Sequence, residues 1–197
     1  MKPTAERVPP MSEAESFAEG PSAVADERTT SPLVGVSLPS LTLDSTMGPV
    51  NLAELSAGLL VLFVYPHATG LPDAPVSSWN MIPGARGCTA QACSFRDHHQ
   101  RLRHLGAEVA GLSIQTAEAQ RAFAERVGLH YRLISDPRMQ LAAVPGLPTF
   151  TAEGQTFYRR LTLVAEDGRV TKIFSPVLEP EGNADEVATW LEVRNRE

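Results

Sequence analysis

The sequence predicts an α/β fold: a mixed central sheet with helices on both of its faces. Three observations carry that expectation. Residues 59–65, Leu-Leu-Val-Leu-Phe-Val-Tyr, form a continuous apolar run, the mark of a strand buried on both sides. Strand-like and helix-like periodicities then alternate along the chain, the order that stacks helices against a sheet. Near the C-terminus, Glu166-Asp167-Gly168 separates two β-rich runs, which predicts a hairpin and so antiparallel strands beside the parallel ones.

Taken in order, residues 1–31 read as a disordered tail. Six acidic residues (Glu6, Glu13, Glu15, Glu19, Asp26, Glu27) stand against three basic ones, and the large apolar residues Val8, Phe17 and Val24 are isolated. Little burial is available there to offset the entropy of ordering. One folded domain is expected over residues 32–197. Its first part, residues 33–52, has short apolar pieces broken by Pro39, Asp44 and Met47-Gly48-Pro49, an extended segment or hairpin with a helical turn at 51–55. Pro66 ends the apolar strand, and a proline-rich loop with Trp79 and Ile82 runs over residues 71–86. Long loops inside compact domains are usually functional.

A helix should follow. Cys88, Ala92, Phe95, His99, Leu102 and Leu105 recur at steps of three or four, and Gly106 closes the run. Residues 108–114 read as a second strand, and Thr116 as the N-cap of a helix to Val127 that Gly128 terminates. Residues 131–134 form a third strand. Pro137 is placed to start a short helix through Ala143. Residues 157–164 and 170–174 make the hairpin, and Asn183 should cap a last helix over 184–193 that buries Val187, Trp190 and Leu191.

Composition excludes several classes of function. The formal charge is −6 with no basic run, which argues against nucleic acid or an anionic membrane as partner. No apolar stretch approaches the ~20 residues of a membrane span, and the N-terminus lacks the apolar core of a secretory signal. Two close cysteines are not a disulfide framework, and in a reducing cytoplasm, the expected location, catalytic or metal-binding use is favoured.

Those cysteines, Cys88 and Cys93, are the only two in the chain and stand five residues apart. Cys88 opens the helix beside Arg86, so the positive end of the helix dipole and a nearby cation both stabilise a thiolate. Cys93 lies about 140° around the helix axis from Cys88, and in an intact helix the two Cα atoms would be about 8–9 Å apart. A disulfide needs roughly 4.4–6.8 Å. Either the two never bridge, or the first turns unwind, a step that requires the helix end to have few packing partners.

Gly87-Cys88-Thr89-x-x-Ala92-Cys93-x-Phe95-Arg96-Asp97 closely resembles the peroxidatic-cysteine motif of peroxiredoxins, in the class typified by the bacterioferritin-comigratory protein and PrxQ, whose second cysteine has the same Cys-x4-Cys spacing. The resemblance covers about residues 33–191 and implies a thioredoxin-like fold with an N-terminal addition. It implies an enzyme that reduces hydrogen peroxide and organic hydroperoxides without cofactor or metal, acting as a monomer and recycled by a thioredoxin-like donor. Cys88 would be the nucleophile that becomes a sulfenic acid, and Cys93 the thiol that resolves it as an intramolecular disulfide. Arg160-Leu161-Thr162 matches the family's second motif, making Arg160 the expected activating cation. Strand alternation sends its neighbour Arg159 to the opposite face.

The chain departs from the family pattern at one place. The motif's threonine, three residues ahead of the cysteine, is replaced here by Ala85. An insertion after Tyr65-Pro66 accounts for this, with Thr69 supplying the hydroxyl and Pro66 the shielding ring, or with Ser77 or Ser78 in the hydroxyl's place. Two other classes of function compete. A zinc site of Cys88, Cys93, His98 and His99 has suitable ligand types, but His99 lies about 16 Å along the helix from Cys88. A non-catalytic redox-sensing module would keep reactive thiols without turnover. A thiol–disulfide oxidoreductase is disfavoured because no Cys-x-x-Cys is present.

Overall fold

The computed structural model describes residues 32–68 and 79–196. The expected tail at 1–31, and with it the domain boundary, lies outside the described residues, as do Thr69, Ser77 and Ser78.

The centre is β3 (Leu59–Val64), flanked in parallel by β4 (Ala107–Ser113) and antiparallel by β8 (Leu161–Glu166). Outward from β4 come β5 (Arg132–Ser135), parallel, then β1 (Thr42–Ser45) and β2 (Val50–Asn51), both antiparallel; outward from β8 comes β9 (Arg169–Phe174). The sheet is therefore mixed and seven-stranded, in the order β2-β1-β5-β4-β3-β8-β9. The β9 edge is covered by the N-terminal segment, where the Gly35 amide donates to the Val170 carbonyl and the Leu38 amide to that of Gly168.

The apolar run of β3 is buried on both faces, as its composition requires. Leu60, Leu62 and Val64 enter one core, and Val61, Phe63 and Tyr65 the other. Helices cover both faces, unequally. The second core is roofed by α2 (Cys88–Asp97), α3 (His99–His104), α4 (Ala117–Val127) and α5 (Asn183–Arg194). The first is closed by the N-terminal segment, the short α1 (Leu52–Leu55), two single-turn 3-10 helices (Trp79–Met81, Gln140–Ala143) and a separate hairpin of β6 (Thr149–Ala152) and β7 (Gln155–Tyr158). Both crossovers, β3-α2-β4 and β4-α4-β5, step the same way across the sheet, so right-handed connections put their helices on one side.

The ends of α4 form as expected: the Thr116 hydroxyl accepts from the Ala119 amide, and Gly128 ends the helix at φ 65°. Asn51 caps α1, its side chain accepting from the Ala53 and Glu54 amides. Other boundaries differ from the sequence reading. The single helix expected from Cys88 to Leu105 breaks at His98 into α2 and α3. The strand expected over 157–164 is two strands, interrupted at Arg159 and Arg160, because β7 pairs with β6 while β8 joins the main sheet. The helix expected at Pro137 begins only at Gln140, after Met139 takes a positive φ of 51°. Asn183 is not a cap: it lies in the first turn of α5 with its side chain buried. Trp190 is half-buried, its ring edge-on to Phe174.

Candidate active site

The site is built where β3 ends. After Val64 the chain leaves the sheet through Tyr65, the buried Pro66 and His67, and it returns through Trp79 to the start of α2. Gly87 precedes that helix at φ 93°, in the left-handed region that glycine tolerates. A Cβ there would come within 2.7 Å of the Pro180 ring, so the residue also lets two chain segments approach. Cys88 is the first residue of α2 and is 4% exposed. Its Sγ faces a cavity of about 330 Å³ lined by His67, Trp79, Ala85, Arg86, Thr89 and Ala90 among others.

The sheet register brings Arg160 to the same place. β8 pairs antiparallel with β3 so that Leu161 stands opposite Val64, and the residue before Leu161 therefore projects past the end of β3. Arg160 is 5% exposed. Its Nη2 donates to Cys88 Sγ at 3.1 Å and to the Arg86 carbonyl at 2.7 Å, while Nε reaches the Gly84 carbonyl at 3.3 Å. Its Nη1 donates to Gln91 Oε1 at 2.6 Å. No carboxylate is among its hydrogen-bond partners in the described residues. Arg159 turns the other way, its Nε donating to the Thr149 carbonyl and its guanidinium lying 5.7 Å from the Phe150 ring centre.

A buried polar chain holds the guanidinium from behind. The Gln91 amide donates to Asn183 Oδ1 at 3.0 Å, and the Thr162 hydroxyl donates to the same oxygen at 2.6 Å. All three side chains are fully buried. Thr162 lies opposite Phe63 on the face that α5 covers, which is why a strand residue can meet the first turn of α5. Cys88 also donates weakly to the Ala85 carbonyl, at 3.4 Å. Burial holds the Tyr65 phenol well above its ordinary range, so Tyr65 stays neutral beside the site.

Cys88 and Arg160 thus come together. Cys93 is a free, partly exposed thiol farther along α2, and no disulfide joins the two. The first turns of α2 are anchored, contrary to the expectation of a loosely packed helix end. Gln91 is tied to Arg160 and Asn183, the Tyr131 hydroxyl donates to the Ala92 carbonyl at 2.7 Å, and Phe95 stacks on Phe63 at 4.5 Å. His98 and His99 face elsewhere: His98 Nδ1 lies 3.0 Å from the Ser94 carbonyl, and His99 packs on the Tyr131 ring. Pro66 is buried at the end of β3. Sequence reasoning missed Gln91, Asn183 and Trp79. The one usable signal was the i,i+3 spacing that puts Gln91 one turn after Cys88.

Known proteins resemble this chain in sequence and in fold. The Redoxin family profile matches residues 33–189. Peroxiredoxin Q of Sedum lineare chloroplasts is 29% identical over 80% of this chain and 77% of its own length, and peroxiredoxin Bcp of Escherichia coli is 29% identical over 72% and 83%. The crystal structure of peroxidoxin BcpB from Mycobacterium tuberculosis superposes with a TM-score of 0.65 at 28% identity, covering 81% of this chain and 96% of that one. A buried cysteine at a helix start, these relatives and the shared thioredoxin-like fold mark the chain as an enzyme of the peroxiredoxin class, and it belongs to the Redoxin family.

Proposed function

We propose that the chain reduces hydrogen peroxide and organic hydroperoxides through Cys88, as a monomer of the PrxQ-like, Cys-x4-Cys class, and is recycled by a thioredoxin-like donor. The observation that supports this best is the 3.1 Å hydrogen bond from Arg160 to Cys88 Sγ at the wall of the cavity. The thiolate attacks the terminal peroxide oxygen; the O–O bond breaks, sulfur is oxidised to a sulfenic acid, and the departing oxygen leaves as water or alcohol after taking a proton. A low-basicity thiolate is also a weaker nucleophile, so rate must come from charge-assisted donors such as Arg160 acting on the reacting atoms. Cys93 then attacks the sulfenic sulfur, giving an intramolecular disulfide and water. Pro66 shields the thiolate from solvent. The hydroxyl of Thr69, or of Ser77 or Ser78, is the proposed donor from the preceding loop.

Thioredoxin-coupled turnover of the wild type with both cysteine variants tests this reading. Cys88→Ser should abolish peroxide consumption. Cys93→Ser should consume about one equivalent in a single event and leave a trappable sulfenic acid. An active Cys88→Ser protein, or a wild type that forms sulfenic acid without turnover, would refute it.

A further inference from the structure

We propose that Trp79 is a catalytic residue, its indole N–H donating a hydrogen bond to the peroxide oxygen that departs as Cys88 takes the other one; this rests on the peroxidase reading above. Trp79 stands in a single 3-10 turn and is 4% exposed. Its Nε1 has no hydrogen-bond partner among the described residues. A buried indole N–H ordinarily finds a partner, and leaving a buried donor unsatisfied is costly. Trp79 also lines the cavity at Cys88. An unpaired donor in the wall of a nucleophile's pocket is placed for a ligand oxygen.

The ring is held for that task. It meets Phe157 edge-on at 5.1 Å, His67 edge-on at 5.9 Å and Phe150 at 6.3 Å, so the indole is fixed from the core side of the loop. Trp79 belongs to the core on one face of the sheet and Cys88 to the core on the other. Both nevertheless line the same cavity.

The chemistry leaves room for such a donor. Arg160 spends its N–H groups on three backbone carbonyls, Gln91 and the sulfur itself. Ala85, three residues before the cysteine, has no side-chain donor. As the thiolate forms its bond to the terminal oxygen, the electron pair of the O–O bond passes to the second oxygen. The charge that develops there is what the indole N–H stabilises. Trp79 keeps its proton; the departing oxygen is protonated by water in the cavity.

Trp79→Phe keeps a flat ring and removes the donor. The second-order rate of sulfenic acid formation should fall at least about tenfold, with hydrogen peroxide and with cumene hydroperoxide alike. Alkylation of Cys88 by iodoacetamide, which has no O–O bond to break, should stay at the wild-type rate. If Trp79→Phe folds poorly, site-specific replacement of the indole by benzothiophene, the same shape with sulfur for N–H, gives the same test. A wild-type peroxide rate in the N–H-deleted protein overturns the proposal, and so does a parallel fall in alkylation and peroxide rates, which would assign Trp79 to packing. Failure of the underlying reading is distinct: the wild type itself would then form no sulfenic acid.

Discussion

Two adjacent arginines with opposite fates show how little of a residue's role lies in its type. Arg159 and Arg160 carry the same charge, one residue apart. Arg159 rests on Phe150 at the hairpin, and Arg160 is buried with its guanidinium on Cys88. If Arg160 activates the thiolate and the peroxide, Arg160→Ala should slow the second-order peroxide reaction by roughly a hundredfold or more, the loss typical of a donor at a reacting centre. Arg159→Ala should change it little. Stopped-flow peroxide rates on both folded variants decide the matter; equal, small losses would remove Arg160 from the mechanism. The Arg-x-Thr match to the resembled family pointed to this pair of positions. Gln91 and Asn183 were not legible, since their partners lie 69 and 92 residues away along the chain and no local pattern encodes contacts at that separation.

At the scale of elements, α2 both presents Cys88 and holds Cys93 apart from it. The helix is fastened at its buried face by Gln91, by the Tyr131 bond to Ala92 and by the Phe95–Phe63 stack. An intramolecular disulfide therefore has to free the first turn while the stack at Phe95 stays in place. The amides that bond back into that turn, beginning with Gln91 to the Gly87 carbonyl at 2.8 Å, should lose protection on oxidation. Those from His98 onward and those of β3 should keep theirs. Hydrogen exchange on reduced and oxidised protein measures this directly, at a cost of about 1 kcal/mol per broken bond. Unchanged protection near Gln91, or a disulfide found between two chains, would exclude Cys93 as the resolving thiol in this form.

For the whole molecule, the strands and the order of elements were legible because burial on two faces leaves a continuous apolar run, and because a cap such as Thr116 acts within three residues of itself. What failed was long-range. The 157–164 stretch is β-prone throughout, and nothing local says that its first half pairs with β6 and its second with β3. That break is what frees Arg159 and Arg160 from a ladder and lets the second reach the end of β3. The unequal cover of the sheet was also hidden, since it follows from strand order and crossover hand rather than from any helix's own pattern. Among the described residues, no helix is long and apolar enough to cross a membrane.

Arg160 is a buried cation whose other hydrogen-bond partners among the described residues are all neutral, so in the proposed mechanism the Cys88 thiolate is its counter-ion. Reduction state and electroneutrality are therefore the same variable at this site. Converting the thiolate to a neutral disulfide strands the guanidinium, and an uncompensated buried charge costs about 3–5 kcal/mol. Closing a loop this short stabilises the chain by only about 2 kcal/mol. The balance favours the reduced protein, so calorimetry should find the disulfide form melting lower, the reverse of what a cross-link alone would do. Replacing Arg160 by Met should abolish that difference or invert it.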